Sequence, residues 1–226
     1  LRQAVKTLTE RNPNPYDGEP LYNLGLSLKY QGKTEEAYDF FYKACWNAAW
    51  QDAGYYSLAQ LSVARGDWEE ALYEIDKSLV RNWHNLRGRH LKATILRHLG
   101  RKEDALSLIE ESLRMDRFNF GCGFEKFLLT GNDADWQTLV SLMRPEAHNY
   151  EELALDYASA GCWEEALDVV DKVICMNVLG QTMLHYYKSW FLICLDRKEE
   201  ALAAIREAER QTPDCCFPNA LEAILA

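Results

Sequence analysis

The sequence predicts an all-α protein made of consecutive antiparallel helix pairs, stacked as a right-handed α-solenoid. The first observation is a recurring segment in which a glycine precedes an acidic stretch and an alanine follows five positions after the glycine. It occurs at residues 32–37, 66–71 and 100–105. The second observation is the spacing of these copies, which is 34 residues without insertion. This period is typical of helix–turn–helix units that bury their apolar faces against their neighbours.

The first repeat shows how one unit is built. Apolar residues at helical spacing mark its first helix: Leu21, Leu24 and Leu28. Gly25, which aligns with Ala59 and Ala93, is small where a second helix must approach closely. Gly32 suits the left-handed residue that ends a helix, and the acidic residues after Thr34 favour the start of the next helix.

The same pattern predicts one domain over residues 1–226, with about six repeats and a partial helix at each end. The predicted repeats are 18–51, 52–85, 86–119, 120–146, 147–181 and 182–215, and the partial helices are 1–11 and 217–226. The fourth repeat is degenerate, because Gly100 and Gly161 are 61 residues apart, less than twice the period. One residue is inserted near 177–181. Since the sequence opens on Leu1 and stops within the pattern at Ala226, we expect a fragment of a longer protein.

Asp67 followed by Glu70 predicts a capping box at the start of a helix. In a capping box, two side chains and two backbone amides form reciprocal hydrogen bonds. Phe120, Phe124 and Phe127 have the spacing of one helical stripe, which favours core packing over an apolar ligand pocket.

The composition is that of a globular protein with an acidic surface. The 226 residues are 48% apolar and carry a net charge of −10. Nucleic acids and anionic membranes attract clusters of Lys and Arg, so we expect neither as a partner. No stretch approaches the roughly 20 apolar residues that a membrane-spanning helix requires.

The seven cysteines show no Cys-x-x-Cys motif and no metal-ligand spacing with histidine. They are Cys45, Cys122, Cys162, Cys175, Cys194, Cys215 and Cys216. We interpret them as buried apolar thiols in a reducing compartment, which favours a cytoplasmic location, rather than as metal or redox sites.

No catalytic signature is present. The five histidines lie in no zinc-binding arrangement, and no nucleophile elbow, P-loop or dinucleotide fingerprint occurs. The paired carboxylates have the spacing of exposed helix faces. We therefore expect no enzyme activity, cofactor or metal.

The chain resembles the tetratricopeptide-repeat family. The first repeat carries nearly the whole family pattern: Leu24, Gly25, Leu28, Gly32, Ala37, Phe41 and Ala44. The pattern departs at the proline between repeats, where Trp83 and Arg117 stand, although Pro15 and Pro213 occupy that column at the two ends.

The resemblance implies that the first helix of each repeat lines an inner, concave face. The residues expected there are Tyr22, Leu26, Lys29, Tyr30, Tyr56, Gln60, His90, Arg97, His98, Tyr186 and Trp190, together with Val63, Arg87, Thr94, Glu151, Leu155 and Ile193. They predict a groove for an extended peptide or a helix, with aromatic anchors. The alternative is that several of them pack between neighbouring first helices.

The third repeat concentrates basic residues. They are Arg87, Arg89, His90, Arg97, His98 and Arg101. One interpretation is a pocket for a carboxylate or phosphate, because arginine presents a planar fork to such groups. We favour the other, a solvated face balanced by Glu103, Asp104 and Glu110.

These observations predict a non-catalytic protein–protein interaction scaffold that binds a peptide or protein segment. Two alternatives remain open. One is an accessory region of a larger, carbohydrate-related bacterial enzyme, since the aromatic-rich repeats are similar to those that follow the β-rich DUF5107 module. The other is a structural or self-associating module. The partner and the oligomeric state do not follow from the sequence.

Overall fold

The all-α prediction is confirmed in the computed structural model, which describes residues 1–10, 12–13, 15, 17–176, 178 and 180–212. These ranges contain thirteen α-helices, one 3-10 turn at Ala48–Trp50 and no strand. The helices are α1 (Arg2–Thr9), α2 (Glu19–Lys29), α3 (Thr34–Ala44), α4 (Gln51–Ala64), α5 (Trp68–Arg81), α6 (Leu86–His98), α7 (Lys102–Met115), α8 (Phe120–Thr130), α9 (Asp133–Met143), α10 (Ala147–Ser159), α11 (Trp163–Cys175), α12 (Thr182–Cys194) and α13 (Lys198–Gln211). No helix in these ranges is both long enough and apolar enough to cross a bilayer.

The chain divides into two compact units, residues 1–129 and 130–226, and the boundary falls inside the degenerate repeat. In the first unit, α2 packs on α3, α4 on α5 and α6 on α7, and each pair also contacts the next. In the second unit, α10 packs on α11 and α12 on α13. Both units are therefore built from successive helix pairs, as the period predicts.

The turns within the pairs have the predicted left-handed residue. Gly32 has a φ of 72°. The φ angles of Gly66, Gly100 and Gly161 are also positive. The amide of Lys33 then donates to the Leu28 carbonyl at 2.9 Å, which satisfies a carbonyl that the helix end leaves open. In the turn before α13, Asp196 stands where the other turns have glycine, and its φ is 58°.

The two helices of the first pair meet at Gly25. A Cβ at this position would lie 2.7 Å from the ring of Phe41, which is fully buried. Ala37 and Ala44 are buried along the same side of α3, and Ala59 and Ala93 are fully buried where they align with Gly25. Small residues in this column therefore let the helices of a pair approach, as expected.

The predicted capping box at α5 is wrong. Asp67 precedes the helix, but its side chain makes no capping hydrogen bond. Its carboxylate instead lies 3.4 Å from Nε of Arg65. The Asp67 backbone φ of −84° and ψ of 67°, set by the tight turn after Gly66, differ from the extended conformation usual at a capping position.

The cysteines are only partly as predicted. Cys45, Cys122 and Cys162 are free and buried, and burial raises the pKa of Cys45 and of Cys122 to about 12. The prediction is wrong for Cys175 and Cys194, which are exposed near the ends of their helices. Cys215 and Cys216 lie outside the described residues.

The degenerate repeat forms α8 and α9, and its phenylalanine stripe is only partly in the core, since Phe120 and Phe127 are half-buried. Phe124 is fully buried, with its ring centroid 6.0 Å from that of Phe127. Phe118 is half exposed at the start of this segment. The predicted terminal helix 217–226, Pro213, and residues 177 and 179 at the expected insertion lie outside the described residues.

We expect Gly25→Ala to destabilise the first unit by about 1–3 kcal/mol, because the added methyl overlaps the Phe41 ring. Urea unfolding followed by circular dichroism measures the change. The double variant Gly25→Ala/Phe41→Leu should be less destabilised than the sum of the two single variants, since the smaller side chain makes room for the methyl group. Strictly additive changes would contradict this account of the contact.

Candidate functional site

The predicted inner-face residues of the first unit occupy matching positions on α2, α4 and α6. Tyr22, Tyr56 and His90 are 34 residues apart, and Leu26, Gln60 and Thr94 form the next row. Hydrogen bonds join Lys29, Gln60 and Tyr56 across α2 and α4, so the structure brings these three predicted residues together. Their exposure differs widely and decides which of them a ligand could reach.

Tyr22 and Leu26 belong mainly to the packing of the first repeat. The Tyr22 ring lies 5.4 Å from that of Phe41 and 5.0 Å from that of Trp50, and its hydroxyl accepts a hydrogen bond from Ser57. Leu26 packs against the same apolar cluster. For these two residues, the alternative of packing between helices describes their contacts.

Lys29, Gln60 and Tyr56 form a polar chain across α2 and α4. Lys29 Nζ donates to Gln60 Oε1 at 2.7 Å, and Gln60 Nε2 donates to the Tyr56 hydroxyl at 3.3 Å. Burial lowers the pKa of Lys29 to about 8. Tyr30, at the end of α2, is 85% exposed and is therefore accessible to a ligand.

A carboxylate of the chain itself pairs with the basic residues of the third repeat. Glu125 on α8 is fully buried and accepts from Arg97 Nε at 2.7 Å and from Thr94 Oγ1 at 2.9 Å. The bond to Arg97 is charge-assisted and is one of the stronger kinds of hydrogen bond in proteins. Arg97 is therefore engaged within the protein.

Arg89 is also internal. It is fully buried, with Nε donating to Ser112 Oγ at 2.7 Å and a terminal nitrogen donating to Glu111 at 2.7 Å. Its guanidinium also lies 4.4 Å from the centre of the Trp83 ring. The prediction of a solvated face is thus wrong for Arg89 and Arg97, although it describes Arg101, whose pair with Asp104 is exposed.

The two predicted inner-face histidines differ in environment. His90 is buried against α8, where a Cβ on Gly121 would lie 2.2 Å from the imidazole ring. Burial lowers the pKa of His90 to about 4. His98 is exposed, and its ring is stacked on Trp68 with a centroid distance of 4.0 Å.

The sequence prediction missed the buried carboxylate of Glu74 on α5. It accepts hydrogen bonds from the Tyr38 hydroxyl and from Ser62 Oγ, each at 2.6 Å, and burial raises its pKa. A signal was present, because the aligned positions in the neighbouring repeats are Phe40 and Leu108. A glutamate in an otherwise apolar column indicates a buried, hydrogen-bonded group.

The second unit exposes aromatic and aliphatic side chains on α12. Trp190 is 44% exposed and Ile193 is 37% exposed, while Tyr186 is half-buried. The Trp190 ring packs 5.7 Å from that of Trp163, nearly edge to face, and 5.3 Å from that of Phe191. The part of Trp190 that reaches solvent is therefore held in place by its neighbours.

The described residues contain no group of three or more His, Cys, Asp or Glu side chains placed to hold a metal ion. The strongest charged clusters instead bond internally between helices. Among the predicted residues, Trp190 is both exposed and held by neighbouring rings, and Tyr30 is exposed; aromatic side chains of this kind are suited to contact with another chain.

We expect the Arg97–Glu125 pair to be strongly coupled. Arg97→Met leaves a buried carboxylate without its cation and should destabilise the first unit by about 3 kcal/mol. The double variant Arg97→Met/Glu125→Met should cost less than the sum of the two single variants. Chemical unfolding of all four proteins measures the coupling free energy.

The exposed pair Arg101–Asp104 provides the matched control for that cycle. Its coupling should stay below about 1 kcal/mol, because solvent screens both charges. Equal coupling for the two pairs would contradict the assignment of Arg97–Glu125 as a buried interaction.

His90 should make the first unit sensitive to acid. Because burial lowers its folded-state pKa from 6.5 to about 4, the unfolded chain binds the proton at higher pH. The free energy of unfolding should therefore fall, by up to about 3 kcal/mol, as pH drops through this window. Denaturant unfolding at a series of pH values, compared with His90→Asn, isolates the contribution. An identical pH dependence in the variant would contradict it.

Comparisons with known proteins address the family and the fold. Residues 18–45 match the family model described as the tetratricopeptide repeat. No curated protein matches the sequence. No match supports the further resemblance to repeats beside the DUF5107 module.

Similar solved structures share the helical-repeat architecture. A tetratricopeptide repeat protein from Parabacteroides merdae ATCC 43184 is 19% identical, with a TM-score of 0.57, and the match covers 99% of this chain and 90% of that chain. A chain of the APC/C hetero-tetramer Cut9-Hcn1 is 14% identical, with a TM-score of 0.52, and the match covers 98% of this chain and 45% of that chain. The protein thus contains a tetratricopeptide repeat at residues 18–45 and has the fold of tetratricopeptide-repeat proteins.

Proposed function

We propose that this protein is a non-catalytic interaction scaffold whose first helices bind a peptide or protein segment. The observation that carries the proposal is the exposure of two aromatic side chains, Trp190 on the first helix α12 and Tyr30 directly after the first helix α2. Trp190 is the strongest case, since it combines a large exposed area with fixed neighbours. A rigid aromatic side chain loses little conformational entropy when it is covered, so it is well suited to anchor a partner.

The fold supports the same proposal. Tetratricopeptide-repeat proteins are typically scaffolds that hold other proteins, and the Parabacteroides merdae structure above is of a protein of this class. An array of helix pairs presents a series of parallel first helices. This arrangement favours an extended partner that contacts several repeats in turn.

The buried polar groups also favour a scaffold. Glu74, Glu125 and Arg89, the most deeply buried charged residues, each form hydrogen bonds to other residues of the chain. A general acid or base must instead lie within hydrogen-bond reach of a substrate. No observation favours the accessory-enzyme or self-association alternatives over the scaffold.

Selection from a random peptide library, with the full chain as bait, tests this function. Peptides that bind the unaltered chain should lose at least about tenfold in affinity for Trp190→Ala or for Tyr30→Ala, depending on the unit that they contact. Tyr73→Ala is the matched control, because Tyr73 is similarly exposed, at 54%, but lies on the second helix α5. Fluorescence anisotropy gives the dissociation constants.

Two results would overturn the proposal. One is a selection that yields no binding peptide. The other is a set of binders whose affinity changes with Tyr73→Ala and not with either first-helix variant. Circular dichroism and thermal unfolding of each variant establish that the lost affinity reflects the altered surface rather than unfolding.

A further inference from the structure

We propose that one edge of the first unit binds an acidic segment of a partner protein, in which carboxylates alternate with apolar side chains. The edge consists of residues 80–84 and 114–118. We call it the turn edge, because each segment joins the end of a second helix, α5 or α7, to the turn that follows. The inference goes beyond the proposed function, which concerns the first helices.

The two segments of the turn edge lie side by side. They occupy equivalent positions in consecutive repeats, since Trp83 and Arg117 are 34 residues apart. Asn119, directly after the second segment, donates from Nδ2 to the Leu86 carbonyl, shortly after the first, at 3.3 Å. Arg89 makes a second connection, because its guanidinium lies 4.4 Å from the centre of the Trp83 ring and its Nε donates to a serine hydroxyl on α7 at 2.7 Å.

The turn edge is rich in exposed apolar side chains. Every large apolar side chain that is exposed between residues 74 and 129 lies here, and Val80 is 78% exposed. The others are Trp83, Met115 and Phe118. One side of the Trp83 ring rests on the buried guanidinium of Arg89, so the part that reaches solvent is held in a fixed position.

The turn edge also carries arginines that make no ion pair within the described part of the chain. Arg81, Arg114 and Arg117 are all exposed. Arg114 donates to a backbone carbonyl of its own helix, and the guanidinium of Arg117 lies 4.8 Å from the centre of the Phe118 ring. By contrast, five other arginines of the first unit pair with carboxylates: Arg2, Arg65, Arg89, Arg97 and Arg101.

The nearby carboxylates do not cancel this positive charge. Residues 77–102 contain no Asp or Glu. Asp52, Asp116 and Glu111 each accept hydrogen bonds from the chain itself. Glu110, exposed on α7, brings one negative charge against the three arginines. The turn edge is therefore locally positive on a chain whose net charge is −10.

An acidic segment with interspersed apolar residues matches both properties. The planar guanidinium of arginine binds a carboxylate through two parallel hydrogen bonds, and apolar side chains of the partner can cover Trp83 and Phe118. A basic segment would meet like charges. A nucleic acid would be repelled by the acidic remainder of the chain, so a protein segment is favoured.

Three labelled peptides test the charge preference. They alternate leucine with glutamate, with serine or with lysine, and fluorescence anisotropy follows their binding to the full chain. We expect the glutamate peptide to bind most tightly and the lysine peptide least. Since the whole chain has a net charge of −10, unspecific attraction would give the opposite order.

The double variant Arg81→Gln/Arg114→Gln locates the site. It should weaken binding of the glutamate peptide by about two- to thirtyfold, the range expected for two exposed ion pairs. The control Lys198→Gln/Arg206→Gln makes the same change in net charge at exposed positions of α13 and should leave binding unaltered.

Two tryptophan variants separate the turn edge from the first helices. Trp83→Ala should weaken the glutamate peptide by at least about tenfold, whereas Trp190→Ala should leave its binding unaltered. Both glutamine variants alter exposed side chains, so they decide the question even if Trp83→Ala does not fold.

Several results would overturn this inference. They are equal binding of the glutamate and serine peptides, a preference for the lysine peptide, and an equal loss in both glutamine variants. A loss with Trp190→Ala and none with Arg81→Gln/Arg114→Gln also overturns it, but supports binding by the first helices. If none of the three peptides binds, the inference fails and the library selection alone decides the proposed function. A single-stranded oligothymidine that displaces the glutamate peptide more effectively than the unlabelled peptide does would assign the turn edge to nucleic acid instead.

Discussion

The close approach of the two helices in each pair is the constraint on which the rest of the structure depends. Gly25 and the aligned alanines place one helix directly on the large buried side chain of its partner. Because the contact recurs every 34 residues in the first three repeats, equivalent side chains of α2, α4 and α6 occupy matching positions.

Buried hydrogen bonds between neighbouring repeats supplement these apolar contacts. Glu74 joins the second helix of one repeat to that of the preceding repeat, and Glu125 joins α8 to α6. Such buried bonds add little net stability, but they are costly to break once one partner is removed. They consequently penalise any slip of one pair against the next, which apolar contacts alone would tolerate more easily.

The sequence predicted the helices, the turns and the core well, because each depends on residues within one period. The local pattern of residues was enough to predict a turn at Gly32 and a buried side chain at Phe41. The partners of charged residues were not predictable in this way. Arg97 meets Glu125, which lies 28 positions further along the chain in the shortened repeat, and the degeneracy of that repeat removes the alignment that would have indicated the pair. Exposed thiols such as Cys194 escaped prediction for a related reason, since the composition does not show on which side of a helix a residue lies.

Asp196 shows that the turn within a helix pair requires a left-handed backbone conformation. Other pairs have glycine at this place, yet the aspartate adopts the same left-handed backbone. An L-residue enters this region at a cost of roughly 1–2 kcal/mol, and aspartate is among the few that do so, so the turn requires the conformation rather than glycine itself. Arrays of this kind can therefore diverge in sequence until individual repeats escape motif recognition, while the turns between their helices keep the same backbone conformation.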